Sequence, residues 1–196
     1  MGNPISEALI FLIQVSFGLY ISIVVLRLLL QIVRADFYNP VSQFVVIATR
    51  WPLQILRRII PGFRGIDLSS IVLMLVLQMA ELMLVFAIAA GALPALPGLL
   101  VLSVAELLKL VVYIFFYAII IQIVLSWVSP EAYNPITVLI YRLTDPLMRP
   151  ARRLVPPIGG LDFSPMIPLI GLQLIQILLI KPLAGLGYAW SGFVPM

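Results

Sequence analysis

A chain of 196 residues with 63% hydrophobic and only 10% charged side chains, and a net charge of +4, reverses the balance of an ordinary water-soluble domain. It contains no cysteine and no histidine, which removes disulfides, thiolate and imidazole catalysis, and most zinc, haem and iron–sulfur ligation. The class is an all-α integral membrane protein, with no cofactor, no metal and no catalytic centre expected.

A helix that crosses the hydrocarbon core needs about 20 apolar residues, and four stretches qualify: Ala8–Val33, Leu68–Ala90, Leu102–Val128 and Met166–Tyr188. The first is preceded by Glu7 and no basic residue, and it is longer than the apolar core of a secretory signal, so it reads as an uncleaved span. Between the first and second spans lie Arg34, Arg50, Arg57, Arg58 and Arg64; between the third and fourth lie Arg142, Arg149, Arg152 and Arg153. The connection Gly91–Val101 carries no charge. The positive-inside rule therefore expects both Arg-rich loops in the cytoplasm of a bacterial inner-membrane protein, with both termini outside. Basic residues at that surface favour anionic lipid headgroups over nucleic acid.

The chain also repeats. Adding 95 to a position returns the same residue at Tyr38/Tyr133, Asn39/Asn134, Pro40/Pro135, Thr49/Thr144, Arg57/Arg152, Arg58/Arg153, Pro61/Pro156, Gly65/Gly160, Asp67/Asp162, Ser69/Ser164 and Gln78/Gln173, without a gap. These are polar and conformationally special positions, so hydrophobic composition does not produce them and duplication does. The two units, residues 8–95 and 103–190, hold two spans each. An even number of crossings makes them parallel, related by a pseudo-two-fold axis along the membrane normal.

Within the second Arg-rich segment, Asn134-Pro135 supplies an N-cap followed by a first-turn proline, and Asp145-Pro146 supplies the same pair again. Two short amphipathic helices are expected, forming a broken interfacial segment over 135–155. Arg149, Arg152 and Arg153 oppose Leu147, Ala151, Leu154 and Val155 on the second of them. Pro156, Pro157, Gly159 and Gly160 force a turn, Ser164-Pro165 caps the fourth span, and Asp162 sits at its positive N-terminal end. An Arg–Asp pair joining Arg152 or Arg153 to Asp162, mirrored by Arg57 or Arg58 with Asp67, competes with lipid or partner binding as the reason for the duplicated arginines.

The run from Tyr133 to Pro165 resembles the signature of the YggT family of small bacterial and plastid membrane proteins, and the first repeat resembles a degraded copy of it. Asp145-Pro146 is answered there by Arg50-Trp51, Arg149-Pro150 by Gln54-Ile55, and Pro165 by Ser70. The resemblance implies one of two non-enzymatic roles. The first is osmotic-stress adaptation or ion (potassium) homeostasis. The second is a membrane scaffold or assembly factor acting on lipid, division-site, nucleoid or cytochrome-assembly partners. A homo-oligomer or a membrane or cytoplasmic protein partner is consistent with either.

Polar residues inside the spans mark a candidate site, because an ionised group in hydrocarbon needs compensation. Glu81 lies twelve residues beyond Ser69, about 18 Å along the helix. Lys109 matches its depth and is the expected partner, with Glu106 nearby. Gln78 and Glu81, with Gln173 and Gln176 at the same register one repeat on, are expected to face a shared interior. Arg27 and Lys181 lie near helix ends and are expected to snorkel.

Overall fold

The structure, a computed structural model, describes residues 3–36, 39–60, 67–128, 134–155 and 162–193. Tyr38, Tyr133, and the turn residues Pro156, Pro157, Gly159 and Gly160 lie outside them. The elements are α1 (Pro4–Ile32), α2 (Pro40–Leu56), α3 (Leu68–Ala90), α4 (Leu96–Val128), α5 (Pro135–Leu154), α6 (Met166–Ile175), a π-helical turn (Gln176–Ile180) and α7 (Lys181–Ser191). Among the described residues four helices are long and apolar enough to cross a membrane: α1, α3, α4 and the composite α6–α7.

Capping explains where the spans begin and end. The Asn3 side chain accepts from Ile5 N at 3.1 Å, with Pro4 in the first turn, so α1 starts four residues before Ala8. At its other end Arg34 takes the left-handed conformation (φ 51) while Ala35 N donates to Leu30 O at 2.9 Å, a closure that glycine usually supplies. Gly91 (φ 66) supplies it after α3. Helix α4 starts at Leu96 instead of Leu102, because Pro97 costs no hydrogen bond in a first turn and Ala95 O already accepts from Leu99 N at 3.0 Å. The connection between the repeats thus shortens to Gly91–Ala95.

Helices α2 and α5 begin alike: Asn39 accepts from Val41 N at 2.9 Å and Asn134 from Ile136 N at 3.0 Å, each followed by proline. The expected break at Asp145-Pro146 does not occur. Helix α5 runs through Pro146 and Pro150. Both prolines and Arg142 lie on its exposed side, so the backbone acceptors freed by the missing N–H groups are not sealed in the core, while the buried stripe Leu139, Leu143, Thr144, Met148 and Ala151 holds the helix together. Asp145 is consequently no cap. It pairs with Arg149 one turn on, at 2.8 Å. The two helices differ outside. The exposed side of α5 carries Arg142, Arg149 and Arg153, whereas α2 exposes the apolar ridge Phe44, Ile47, Trp51 and Ile55.

Each repeat builds the same small core at the same register. Val24, Leu53 and Leu73 pack with Leu77 in the first, and Ile119, Met148 and Leu172 in the second; Val24/Ile119, Leu53/Met148 and Leu77/Leu172 are each 95 apart. Between repeats the contacts are not exchanged symmetrically. Helix α3 packs along α4, whereas α6–α7 has no comparable contact with α1. Helix α4 also meets α7 closely: a Cβ on Gly187 would come within 2.7 Å of Leu102 Cγ, and one on Gly98 would overlap the backbone of Ser191.

Candidate functional site: a charged cavity between the repeats

At the end away from the arginines, α1, α3, α4 and α7 surround a cavity of about 410 Å³. Its polar wall is Gln14 from α1, Gln78 and Glu81 from α3, Glu106 and Lys109 from α4, and Tyr188 from α7. Phe86 and Phe193, whose ring centroids are 4.9 Å apart, stand at its rim with Ala89 and Ala90. Towards the arginine end the apolar cluster of Ile21, Val25, Leu29, Leu107 and Ala118 continues the core.

The cavity brings Glu81 and Lys109 together, but not as a pair. Lys109 Nζ donates to Glu106 Oε2 at 2.9 Å and Oε1 at 3.2 Å, one helical turn away on α4. Glu81 Oε2 instead accepts from Gln78 Nε2 at 3.0 Å. Depth matched Glu81 to Lys109; the i,i+3 spacing of Glu106 and Lys109 decided the contact. The cavity therefore holds two carboxylates and a single ammonium bound to one of them, and with all three ionised it carries one surplus negative charge.

Gln173 and Gln176 do not join this site. They line a separate groove of about 60 Å³ with Val112, Tyr113, Phe116, Tyr117 and Leu172. Helix α4 stands between: it packs on α3 with one side and on α6 with another. Repeat symmetry suggested a shared interior, and the one-sided contact between the repeats prevents it.

At the arginine end both expected Arg–Asp pairs are present. Arg57 Nη2 lies 2.5 Å from Asp67 Oδ2 and Arg152 Nε 3.5 Å from Asp162 Oδ2. Burial acts to raise the Asp67 carboxyl, but hydrogen bonds from Arg57 and Ser70 and the nearby charges of Arg57 and Arg27 outweigh it, holding it below the usual carboxylate range. Asp162 is likewise lowered against burial, by hydrogen bonds from Ser164 and by Arg152. The Asp162 Oδ1 accepts from Ser164 N at 2.9 Å; Pro165 occupies the cap of α6 with no side-chain cap bond, so Asp162 shapes the entry to the fourth span in place of Ser164. Arg58 and Arg153, the second member of each duplicated pair, are exposed and make no ion pair among the described residues.

Two buried polar contacts were not expected. Arg27 does not snorkel: its Nη1 donates to Thr49 Oγ1 at 2.5 Å and to Val46 O at 3.2 Å, tying α1 to α2. One repeat on, the Thr144 hydroxyl and the Gln122 amide oxygen are 2.5 Å apart, tying α4 to α5. The signal was present in the repeat, since Thr49 matches Thr144 and the apolar spans place a polar residue at both 27 and 122.

Fold and site together define a four-span helical membrane protein made of two tandem units, each two spans joined by an Arg-bearing amphipathic helix. The CCB3/YggT family model matches twice, at residues 6–88 and 101–183. The chain belongs to the CCB3/YggT family. It is 44% identical to the uncharacterized protein PA0392 of Pseudomonas aeruginosa, over 93% of both chains. It is 41% identical to the uncharacterized protein in the proC 3' region of Vibrio alginolyticus, over 86% of this chain and 91% of that one. It is 36% identical to the uncharacterized protein YggT of Escherichia coli K12, over 87% and 88%. No solved structure matches it significantly.

Proposed function

We propose that this protein is a non-enzymatic inner-membrane component that takes up a small cation from outside at the Glu81 cavity, in support of osmotic adaptation or ion homeostasis. The observation that carries the reading is the surplus carboxylate: Glu81 sits among Gln14, Gln78 and the Glu106–Lys109 pair in a space bounded by apolar spans. A charge at such depth is retained where it meets an ion or a proton, and carboxylate and amide oxygens suit a hard cation. The orientation follows from the arginines: α2 and α5 face the cytoplasm and the cavity opens outside. A reporter fused between Gly91 and Ala95 should read as exterior; a cytoplasmic signal there reverses the direction of uptake.

Rubidium entry into proteoliposomes tests the site. Flux above that of empty vesicles, falling at least tenfold in Glu81→Gln while the variant remains folded, is the expected result. Wild-type flux equal to that of empty vesicles overturns the reading. One observation favours a scaffold instead: Arg58 is exposed just past the apolar ridge of α2, and Arg153 is exposed next to the exposed Leu154 at the end of α5, a combination suited to an anionic headgroup surface or a protein partner. That reading expects vesicle or partner binding to depend on Arg58 and Arg153 and not on Glu81.

A further inference from the structure

The repeat supplies a template for an interface that the single chain leaves unfilled. In the first repeat, α1 and α3 form a groove through Phe17, Ile21, Leu77 and Gln78, and α4 fills it with Leu107, Leu110, Val111 and Ile114. Ile21 is fully buried there and Gln78 is 6% exposed. Ninety-five residues on, α4 and α6 form the equivalent groove through Val112, Phe116, Leu172 and Gln173. It is open, and Gln173 is exposed.

The matching ridge is equally free. Subtracting 95 from the α4 residues that fill the first groove gives Leu12, Val15, Ser16 and Leu19 on α1, and the three apolar ones are 58%, 42% and 65% exposed. One chain thus carries an unused ridge on α1 and an unfilled groove on α4–α6. Hydrocarbon cannot hydrogen-bond to Gln173 or Gln176, whereas a helix presenting the Ser16 hydroxyl on its ridge can.

We propose that the occupant is α1 of a second copy of this chain, seated on α4–α6 as α4 is seated on α1–α3. The contact is head-to-tail. Each copy donates a ridge on one side and accepts one on the other, so association continues around a ring or along an array in the membrane plane. The second groove departs from the first at two places: Tyr113 and Tyr117 stand where repeat one has Gly18 and Ser22. It is therefore narrower and bears two phenol groups beside the glutamines. The proposal is independent of what the Glu81 cavity binds.

The chain has no cysteine, so introduced thiols are unambiguous. Ser16→Cys combined with Gln173→Cys in one chain should cross-link, under a short bismaleimide in native membranes, into a ladder of dimers and higher species. A mixture of the two single variants should give dimer alone, and either single variant by itself monomer. Self-cross-linking of Gln173→Cys as strong as the mixed reaction would replace the head-to-tail contact by a symmetric one. The unaltered chain in bacterial-lipid nanodiscs should be larger than a monomer by native mass spectrometry; a monomer there overturns the proposal. Gln173→Leu with Gln176→Leu should reduce the oligomer fraction at least fivefold. If lipid simply covers the groove, the same change raises thermal stability and leaves the assembly as it was, which also counts against it.

Discussion

Gly98→Ala should destabilise the protein by about 3 kcal/mol, near the upper end of what overpacking does to a well-packed core. The added methyl group would overlap the backbone N and Cα of Ser191. Backbone cannot rotate aside as a side chain can, so the change has to part α4 from α7 and break the bond from Ala95 N to Ser191 O, 3.1 Å long. Two other glycines calibrate the result. Gly91→Ala meets open space at φ +66 and should lose only about 1 kcal/mol to left-handed strain. Gly18→Ala, also in open space within a helix, should be neutral or slightly stabilising. Thermal unfolding in detergent ranks the three, and equal losses at Gly98 and Gly91 would mean that the α4–α7 approach is looser than described.

Lys109→Met should destabilise by about 2 kcal/mol, because it leaves Glu106 without its ammonium in a cavity bounded by apolar spans. The cavity opening screens part of the charge, which keeps the loss below that of a sealed ion pair. Pairing Lys109→Met with Glu106→Gln should recover most of it; pairing it with Glu81→Gln should recover less, since Glu81 takes its hydrogen bond from Gln78. The double-mutant cycles therefore give a coupling above about 1 kcal/mol for residues 106 and 109 and below about 0.5 kcal/mol for 81 and 109. The reverse order would show that depth, rather than position along one helix, sets the partnership.

What could be read from the chain alone follows from which coordinates a sequence carries. Span number and the repeat are one-dimensional properties, and hydropathy with spacing places them. Depth is one-dimensional too, which is why the sequence alone marks Glu81, Lys109 and the glutamines as polar residues within the spans. Azimuth is not. Whether Gln173 faces Gln78 depends on how the two units are set against each other, and no periodicity contains that step. Local grammar misled in one place, where Asp145-Pro146 looks like a helix start and the buried stripe of α5 overrides it. The repeat carries a contact that hydropathy hides: Arg27 and Thr49 stand in the same relation as Gln122 and Thr144, and both pairs join a span to the amphipathic helix that follows it.

The π-helical turn in the fourth span limits how far knowledge of one repeat transfers to the other. Pro182 has no N–H to give, and the wide turn just before it, with Lys181 N bonded to Gln176 O, accommodates the ring. Such a turn holds one residue more than the α-turn it replaces. Everything beyond Ile180 is therefore rotated by roughly 100° relative to its numerical counterpart in α3. Phe86 faces the cavity while Lys181, its counterpart, is exposed. The two copies align on paper to the last span without a gap, yet the helical phase of the fourth span follows that of α3 only as far as Gln176. A mutational map of one repeat can be read across to the other on the arginine side of that residue, and each must be charted separately on the far side.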